Sequence, residues 1–273
     1  LLFSSRAGYT FDLRLGFIKM EKDMQRSVLI TGAAGGVGAA TAKYFHEKGW
    51  NTFATDRREV EPEIEAIHFF SSDVSDPESV RALFAWLEQQ TTALHALVNN
   101  AAIQISRPLI EMDVDEWDST MGSNLRSAFL TARYGFGMLK AAGQAAIVNV
   151  SSVHAIATSA SIAAYAASKG GLLALTRAMA IEFAADQIRV NAILPGAVDT
   201  EMLRSGLSRG HVGGDTINER LQDLGDRTVM GRVGEPDEIA AAIYFLADDE
   251  QSAFMTGNAL VVDGGATARL STE

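Results

Sequence analysis

Tyr165 and Lys169 stand four residues apart at the end of the stretch S-V-H-A-I-A-T-S-A-S-I-A-A-Y-A-A-S-K, Ser152 to Lys169. In a helix beginning near Ile162, that spacing puts both side chains on one face, about one turn apart. A phenol is a poor base at neutral pH because its ordinary pKa is about 10. A neighbouring ammonium favours the phenolate and lowers that value. Tyr165 can then exchange a proton with an alcohol or carbonyl oxygen at ordinary pH. Ser152, 13 residues upstream of Tyr165, follows the apolar run Ala145 to Val150, which reads as a buried strand. Its hydroxyl can hydrogen-bond the same substrate oxygen. By itself Y-x-x-x-K is also a pair that any solvated helix carries, so its meaning depends on the surrounding chain.

Strands and helices alternate around that stretch, as in an α/β domain. Ser27 to Thr31 (S-V-L-I-T) is a short apolar strand that runs into Gly32, Gly35, Gly36 and Gly38, with a helix from about Gly36. Such a turn lets the backbone approach a pyrophosphate and aims helix N–H groups at it. Trp50 to Thr55 reads as the second strand and delivers Asp56, 18 residues beyond Gly38, where a carboxylate can accept hydrogen bonds from an adenosine ribose. Arg57 and Arg58 follow, either as a solvated pair or as contacts to an adenine or a 2′-phosphate. Further strands are expected at Ala66 to Phe70, Leu94 to Val98, Ala145 to Ser151, Ile188 to Leu194 and Asn258 to Asp263. Asp76-Pro77-Glu78 supplies an N-cap, a first-position proline and a first-turn acid for a helix. Long helical patterns cover Asp113 to Lys140, Tyr165 to Ala184 and Asp237 to Leu246. Glu201 to Met230, with Gly206, Gly210, Gly213, Gly214 and Gly225, is the least regular stretch and predicts a mobile substrate loop.

The chain has 273 residues, 47% of them hydrophobic, enough for one domain with a large core. A formal net charge of -11 opposes binding to nucleic acid or to an anionic membrane. There is no cysteine, hence no disulfide framework, thiol nucleophile or cysteine-held metal. The five histidines lack H-x-x-x-H spacing, so no metal site is expected. No apolar run approaches the roughly 18 residues that a bilayer span needs. Residues 1–26 lack a signal-peptide core and are expected to be an N-terminal extension outside a domain of residues 27–273, with Met20 or Met24 as a conventional start.

The motifs together resemble the classical short-chain dehydrogenase/reductase family over roughly nine tenths of the chain. They are T-G-A-A-G-G-V-G (Thr31 to Gly38), Asp73-Val74, N-N-A-A (Asn99 to Ala102), Asn124, Ser152, Y-A-A-S-K (Tyr165 to Lys169) and P-G-A-V-D-T (Pro195 to Thr200). The resemblance implies a Rossmann-like doubly wound parallel sheet in a single three-layer α/β/α domain. It implies hydride transfer between a nicotinamide dinucleotide and a secondary alcohol or ketone, without metal. Tyr165 would be the general acid/base, and Lys169 would lower its pKa and bond the nicotinamide ribose. Ser152, selected over Ser151 by its distance to the tyrosine, would orient the substrate oxygen. Asn124 would bend its helix and complete a proton relay.

The cofactor would rest on Gly32, Gly36, Val37 and Gly38, with Asp73 and Val74 at the adenine and the small residues Asn100, Ala101 and Ala102 beneath it. The family's motif usually ends in glycine where this chain has Ala102. Pro195 and Gly196 would close over the nicotinamide, while Val198 and Thr200 bond its carboxamide. Asp56 points to NAD, with Arg57 leaving NADP as a poorer alternative. Gln104 and His154 are candidate substrate contacts. Sugars and polyols are the first expectation for a small-molecule substrate, with hydroxysteroids, other secondary alcohols and 3-oxoacyl thioesters as alternatives. A catalytically silent dinucleotide-binding sensor or scaffold is the alternative from another class. The family also implies a cytoplasmic homotetramer, with Leu172, Leu175 and Met179 as candidate members of the contact face.

Overall fold

The computed structural model describes residues 25–62, 64–207 and 212–268, together with three short strands nearer the N-terminus. Those strands, β1 (Phe3–Ser4), β2 (Thr10–Asp12) and β3 (Phe17–Lys19), form an antiparallel sheet of their own. The packed domain takes in Gln25 and Arg26, slightly before the expected boundary. The Arg26 guanidinium lies 4.8 Å from the centre of the Trp50 ring and 2.8 Å from both Asp248 and Asp249.

The main sheet has seven parallel strands: β4 (Ser27–Thr31), β5 (Asn51–Asp56), β6 (His68–Ser71), β7 (Ala96–Asn99), β8 (Ala145–Val150), β9 (Ile188–Pro195) and β10 (Ala259–Val262). Their order is β10-β9-β8-β7-β4-β5-β6. The chain therefore winds outward in one direction from β4 to β6, then crosses back and winds the other way from β7. That reversal opens a crevice beyond the carboxyl ends of β4 and β7, where open α/β sheets bind ligands.

Strand alternation sends successive side chains into two separate cores. Val28 and Ile30 pack on one face with Phe45, Trp50, Ile243 and Tyr244, beneath α1 (Gly36–Glu47) and α8 (Pro236–Ala247). Leu29 joins Phe53, Leu83, Leu87, Leu97 and Ile147 on the other face, beneath α2 (Pro77–Gln90), α4 (Ser127–Ala141) and α5 (Ala163–Glu182). Each fully buried side chain of this size stabilises the fold by about 1.5–3 kcal/mol relative to exposure. The start of α2 follows its sequence signals: Asp76 accepts a hydrogen bond from Ser79 N at 2.8 Å, and Pro77 opens the helix.

Two expectations change. The pattern from Asp113 to Lys140 is not one regular helix: α3 (Val114–Met121) passes through a wide π turn, Gly122–Arg126, before α4. The described part of residues 201–230 is largely helical, as α6 (Glu201–Gly206) and α7 (Ile217–Asp226), rather than an irregular loop. Thr216 and Glu219 form a capping box at the start of α7, a signal that the glycine density of this stretch outweighed in sequence. Gly206 ends a helix, and Gly214 adopts φ 115° where a Cβ would meet Glu219 Cβ at 2.7 Å. A short α9 (Asp249–Ser252) precedes β10.

Candidate active site

β8 ends at Val150, and the chain turns through Ser151 and Ser152 into a single 3-10 turn, Val153–Ala155, before α5. Strand and helix are stitched together from both sides. Lys169 Nζ donates to the Val150 carbonyl at 2.7 Å, and Ser151 Oγ donates to the Lys169 carbonyl at 3.0 Å. Ser151 is therefore structural, and Ser152 is left facing the helix. Its hydroxyl accepts from His154 N at 3.2 Å and hydrogen-bonds the Tyr165 phenol. Lys169 Nζ lies 5.6 Å from the centre of the Tyr165 ring, within cation–π range.

Ser152, Tyr165 and Lys169 are all buried, and burial dominates their electrostatics. It pushes the Tyr165 phenol up, with the Ser152 hydrogen bond pulling part of the way back. It brings the Lys169 amine down from 10.5 to about 7. The expected help from the ammonium thus meets an opposing desolvation, and operates only where Lys169 carries its proton.

Asn124 lies inside the π turn, the kind of local widening that bends a helix and recurs at functional sites. Its Oδ1 accepts from Ile103 N at 2.8 Å, and its Nδ2 donates to Ile103 O at 2.9 Å and to Ser168 Oγ at 3.0 Å. Ser168 Oγ in turn donates to the Tyr165 carbonyl at 2.7 Å. Asn124 therefore fastens the chain after β7 to the helix that carries the tyrosine. Ser168 was missed in sequence, although it stands one residue before the lysine in Y-A-A-S-K.

The glycine turn is built by close approach. A Cβ on Gly38 would lie 2.1 Å from Gly32 O, and one on Gly32 would lie 2.7 Å from Ala101 Cα. Gly32 and Gly36 have φ of 66° and 53°, which only glycine adopts freely. Thr31 Oγ1 accepts from both Asn100 N and Ala101 N at 3.0 Å, and Asn100 Nδ2 donates to Thr31 O and Gly32 O. The Asn100 side chain is thus spent on bracing the turn. Asn99 Nδ2 donates to Asn149 Oδ1 at 2.9 Å, and its Oδ1 accepts from Thr131 Oγ1 at 2.7 Å. These contacts leave the N-terminus of α1 and the small-residue floor at Ala101 and Ala102 facing the crevice, a cradle that fits a dinucleotide.

Asp56 closes β5 with Oδ2 accepting from Ala34 N at 3.1 Å. Its other oxygen faces Arg58, whose Nε lies 3.5 Å away, and not Arg57, which is exposed and lines a groove outside α4 and α5. The Asp73 carboxylate is held by Ser75 N and Oγ, and the Val74 side chain belongs to the second core, so only its main chain can face a ligand. Gly196 lets β9 pass β10, since a Cβ there would lie 2.8 Å from Asp263 Cα. Val198 is buried and bridges Gly234, while Thr200 caps α6 and lies against Gly36. The His154 ring packs edge-on to Tyr165 with centroids 6.0 Å apart, and its Nδ1 is 3.3 Å from Thr158 Oγ1. Gln104 Nε2 is 3.3 Å from the position of a Cβ on Gly206, which brings α6 down beside it.

Among the described residues no cluster of acidic and histidine side chains is placed to hold a metal, and no helix is long and apolar enough to cross a membrane. A family model described as enoyl-(acyl carrier protein) reductase matches residues 32–267. The chain belongs to the short-chain dehydrogenase/reductase family. It is 37% identical to cis-4-hydroxycyclohexanecarboxylate dehydrogenase of Sinomonas cyclohexanicum, over 89% of this chain and 97% of that one. It is 35% identical to 3beta-hydroxysteroid dehydrogenase 1 of Eggerthella lenta, over 89% and 94%. The solved structure of Thermoplasma acidophilum aldohexose dehydrogenase superposes with a TM-score of 0.85 at 29% identity, covering 90% and 96%. As a short-chain dehydrogenase/reductase, this protein is an oxidoreductase that transfers hydride between a nicotinamide dinucleotide and a secondary alcohol or its ketone.

Proposed function

We propose that the enzyme is an NAD-linked dehydrogenase of a small alicyclic secondary alcohol. The observation that carries this is the convergence of Ser152, Tyr165 and Lys169, with Asn124 holding their helix. The bound dinucleotide supplies the hydride acceptor. Ser152 orients the substrate oxygen by hydrogen bond, and Tyr165 takes the hydroxyl proton during oxidation or returns it during reduction. Lys169, when protonated, favours the phenolate. Asn124 has one Oδ1 lone pair left to offer a relay, its other polar sites being occupied by Ile103 and Ser168. Val198 and Thr200 bond the carboxamide, Asp73 and Val74 border the adenine, and Asp56 accepts from the ribose. A ring alcohol is preferred over a sugar because Ile156, 57% exposed, offers an apolar surface two residues beyond His154. The names of the cyclohexane and steroid relatives point the same way. A 3-oxoacyl thioester is a weaker alternative, although one relative is named as such a reductase.

A panel of alicyclic alcohols, sugars, polyols, hydroxysteroids and hydroxyacyl thioesters, run with NAD and with NADP and followed by reduced-cofactor absorbance, tests both choices. Ring alcohols should give the highest kcat/KM, with NAD clearly ahead of NADP. A sugar leading the panel, or equal use of both cofactors, overturns the corresponding choice.

The proposal includes a cytoplasmic homotetramer. The expected contact face needs correction in part: Leu172 and Met179 are buried within the subunit itself, whereas Leu175 borders the outward groove. The first two mark the inward stripe of α5, and periodicity alone does not tell which stripe faces in. The outward side carries Ala174, Ala178 and Ile181, and with Phe129 of α4 it borders a groove of roughly 1070 Å³. Closed symmetric assembly over such a face is common. Sedimentation should give a tetramer at micromolar concentration; a monomer overturns this part.

A further inference from the structure

Arg58 stands between two carboxylates from distant parts of the chain. Its Nε lies 3.5 Å from Asp56 Oδ1 at the end of β5, and its Nη1 donates to Glu201 Oε2 at 3.4 Å, in the first turn of α6. Between them the guanidinium passes over the glycine turn, with Nη2 3.5 Å from where a Cβ on Gly35 would sit. Asp56 and Glu201 have no other cation within ion-pair distance among the described residues. Arg204, the other guanidinium on α6, is committed to Asp199 through both Nε and Nη2 at 2.7 Å. Arg58 thus forms a strap from the adenosine end of the crevice to the helix that borders Gln104.

We propose, resting on the dinucleotide site assigned above, that Glu201 is a second cofactor selector that acts by holding Arg58. Asp56 opposes a 2′-phosphate directly, by placing one carboxylate beside its charge of about -1.5 to -2. The cation that can answer that charge is Arg58, which matches phosphate with a bidentate fork. While Glu201 engages the guanidinium, that fork is occupied, and a 2′-phosphate must displace a carboxylate to gain it. A ribose with free hydroxyls needs nothing from Arg58 and leaves the strap in place. Glu201 therefore discriminates between cofactors without touching either one. The effect is modest, because the pair is exposed: Arg58 by 53% and Glu201 by 86%.

The test is equilibrium binding rather than turnover. NADH and NADPH are titrated by nicotinamide fluorescence against the parent, Glu201→Gln, Arg58→Ala and the double variant. Glutamine keeps the shape of the side chain and the Thr200 cap that starts α6, and thermal melting confirms that each variant is folded. Glu201→Gln should tighten NADPH relative to NADH by about two- to fivefold, the range an exposed ion pair can supply. Arg58→Ala should weaken NADPH while leaving NADH within about twofold, and should abolish most of the Glu201→Gln effect. An unchanged NADPH to NADH ratio in Glu201→Gln overturns the selector. So does a shift of equal size with and without Arg58, since Glu201 would then act by its charge alone. If the parent binds neither dinucleotide, the site itself falls and the selector falls with it.

Discussion

Tyr165→Phe is expected to cut turnover by about 10²–10⁴, the range general acid/base catalysis supplies, while leaving dinucleotide affinity within a factor of a few. In the proposed reaction the phenol, hydrogen-bonded to Ser152, is the group that carries the proton of the substrate oxygen. Phenylalanine keeps the buried ring, its edge-on contact with His154 and its place over Lys169. What is lost is the hydroxyl and its hydrogen bond to Ser152, worth about 0.5–1.5 kcal/mol of stability. Part of that is recovered because a buried polar atom no longer needs a partner. Folding should therefore survive and the defect should appear in kcat. Single-turnover absorbance, with the dinucleotide saturating, reads the chemical step directly. A rate within a few-fold of the parent would remove Tyr165 from the proton transfer.

How far the sequence carried depended on whether a feature is set by neighbours in the chain or by packing across it. The strands, the glycine turn and the start of α2 are local, and their residues identify them. Gly38 is a stricter case, since the 2.1 Å approach to Gly32 O explains why nothing larger fits, yet that approach exists only once β4 and α1 have docked. The Ser152, Tyr165 and Lys169 constellation was legible because the resemblance gave meaning to a spacing that any helix can carry. The bend at Asn124 came from the resemblance and not from the local pattern, which continues the helical period; the π turn that makes it is stabilised from outside, by Ile103 and Ser168. The face of α5 was misassigned for a related reason. Leu172 and Met179 announce a stripe, and only the position of the sheet decides that they face inward while Leu175 borders the outer groove. Among the two arginines after Asp56, the first looked like the partner, but the turn carries Arg57 outward and returns Arg58 over the glycines. Sequence order does not encode that reversal.

Below pH 7, where the parent amine is protonated, Lys169→Met should lower turnover by on the order of 10², as expected for removing the charge that activates an acid/base group, and it should also change how stability depends on pH. Methionine matches the unbranched stem that fills the space between Val150 and the Tyr165 ring. It leaves the Val150 carbonyl without its 2.7 Å donor, which costs about 1–3 kcal/mol, but it also removes an amine that is unfavourable to bury when charged. In the native parent that amine releases its proton near 7, whereas in the unfolded chain it does so near 10.5. Between those values the unfolded state binds more protons, so the stability of the parent must rise with pH across that window and flatten below it. The raised phenol of Tyr165 works in the opposite sense only above 10, where unfolded tyrosine ionises first. Urea midpoints at pH 7 and pH 9, compared between parent and variant, therefore isolate the lysine. The parent should gain stability over that interval by more than Lys169→Met does. Parallel pH profiles would mean that Lys169 keeps its charge in the fold throughout, and that the phenol next to it is activated well above neutral pH.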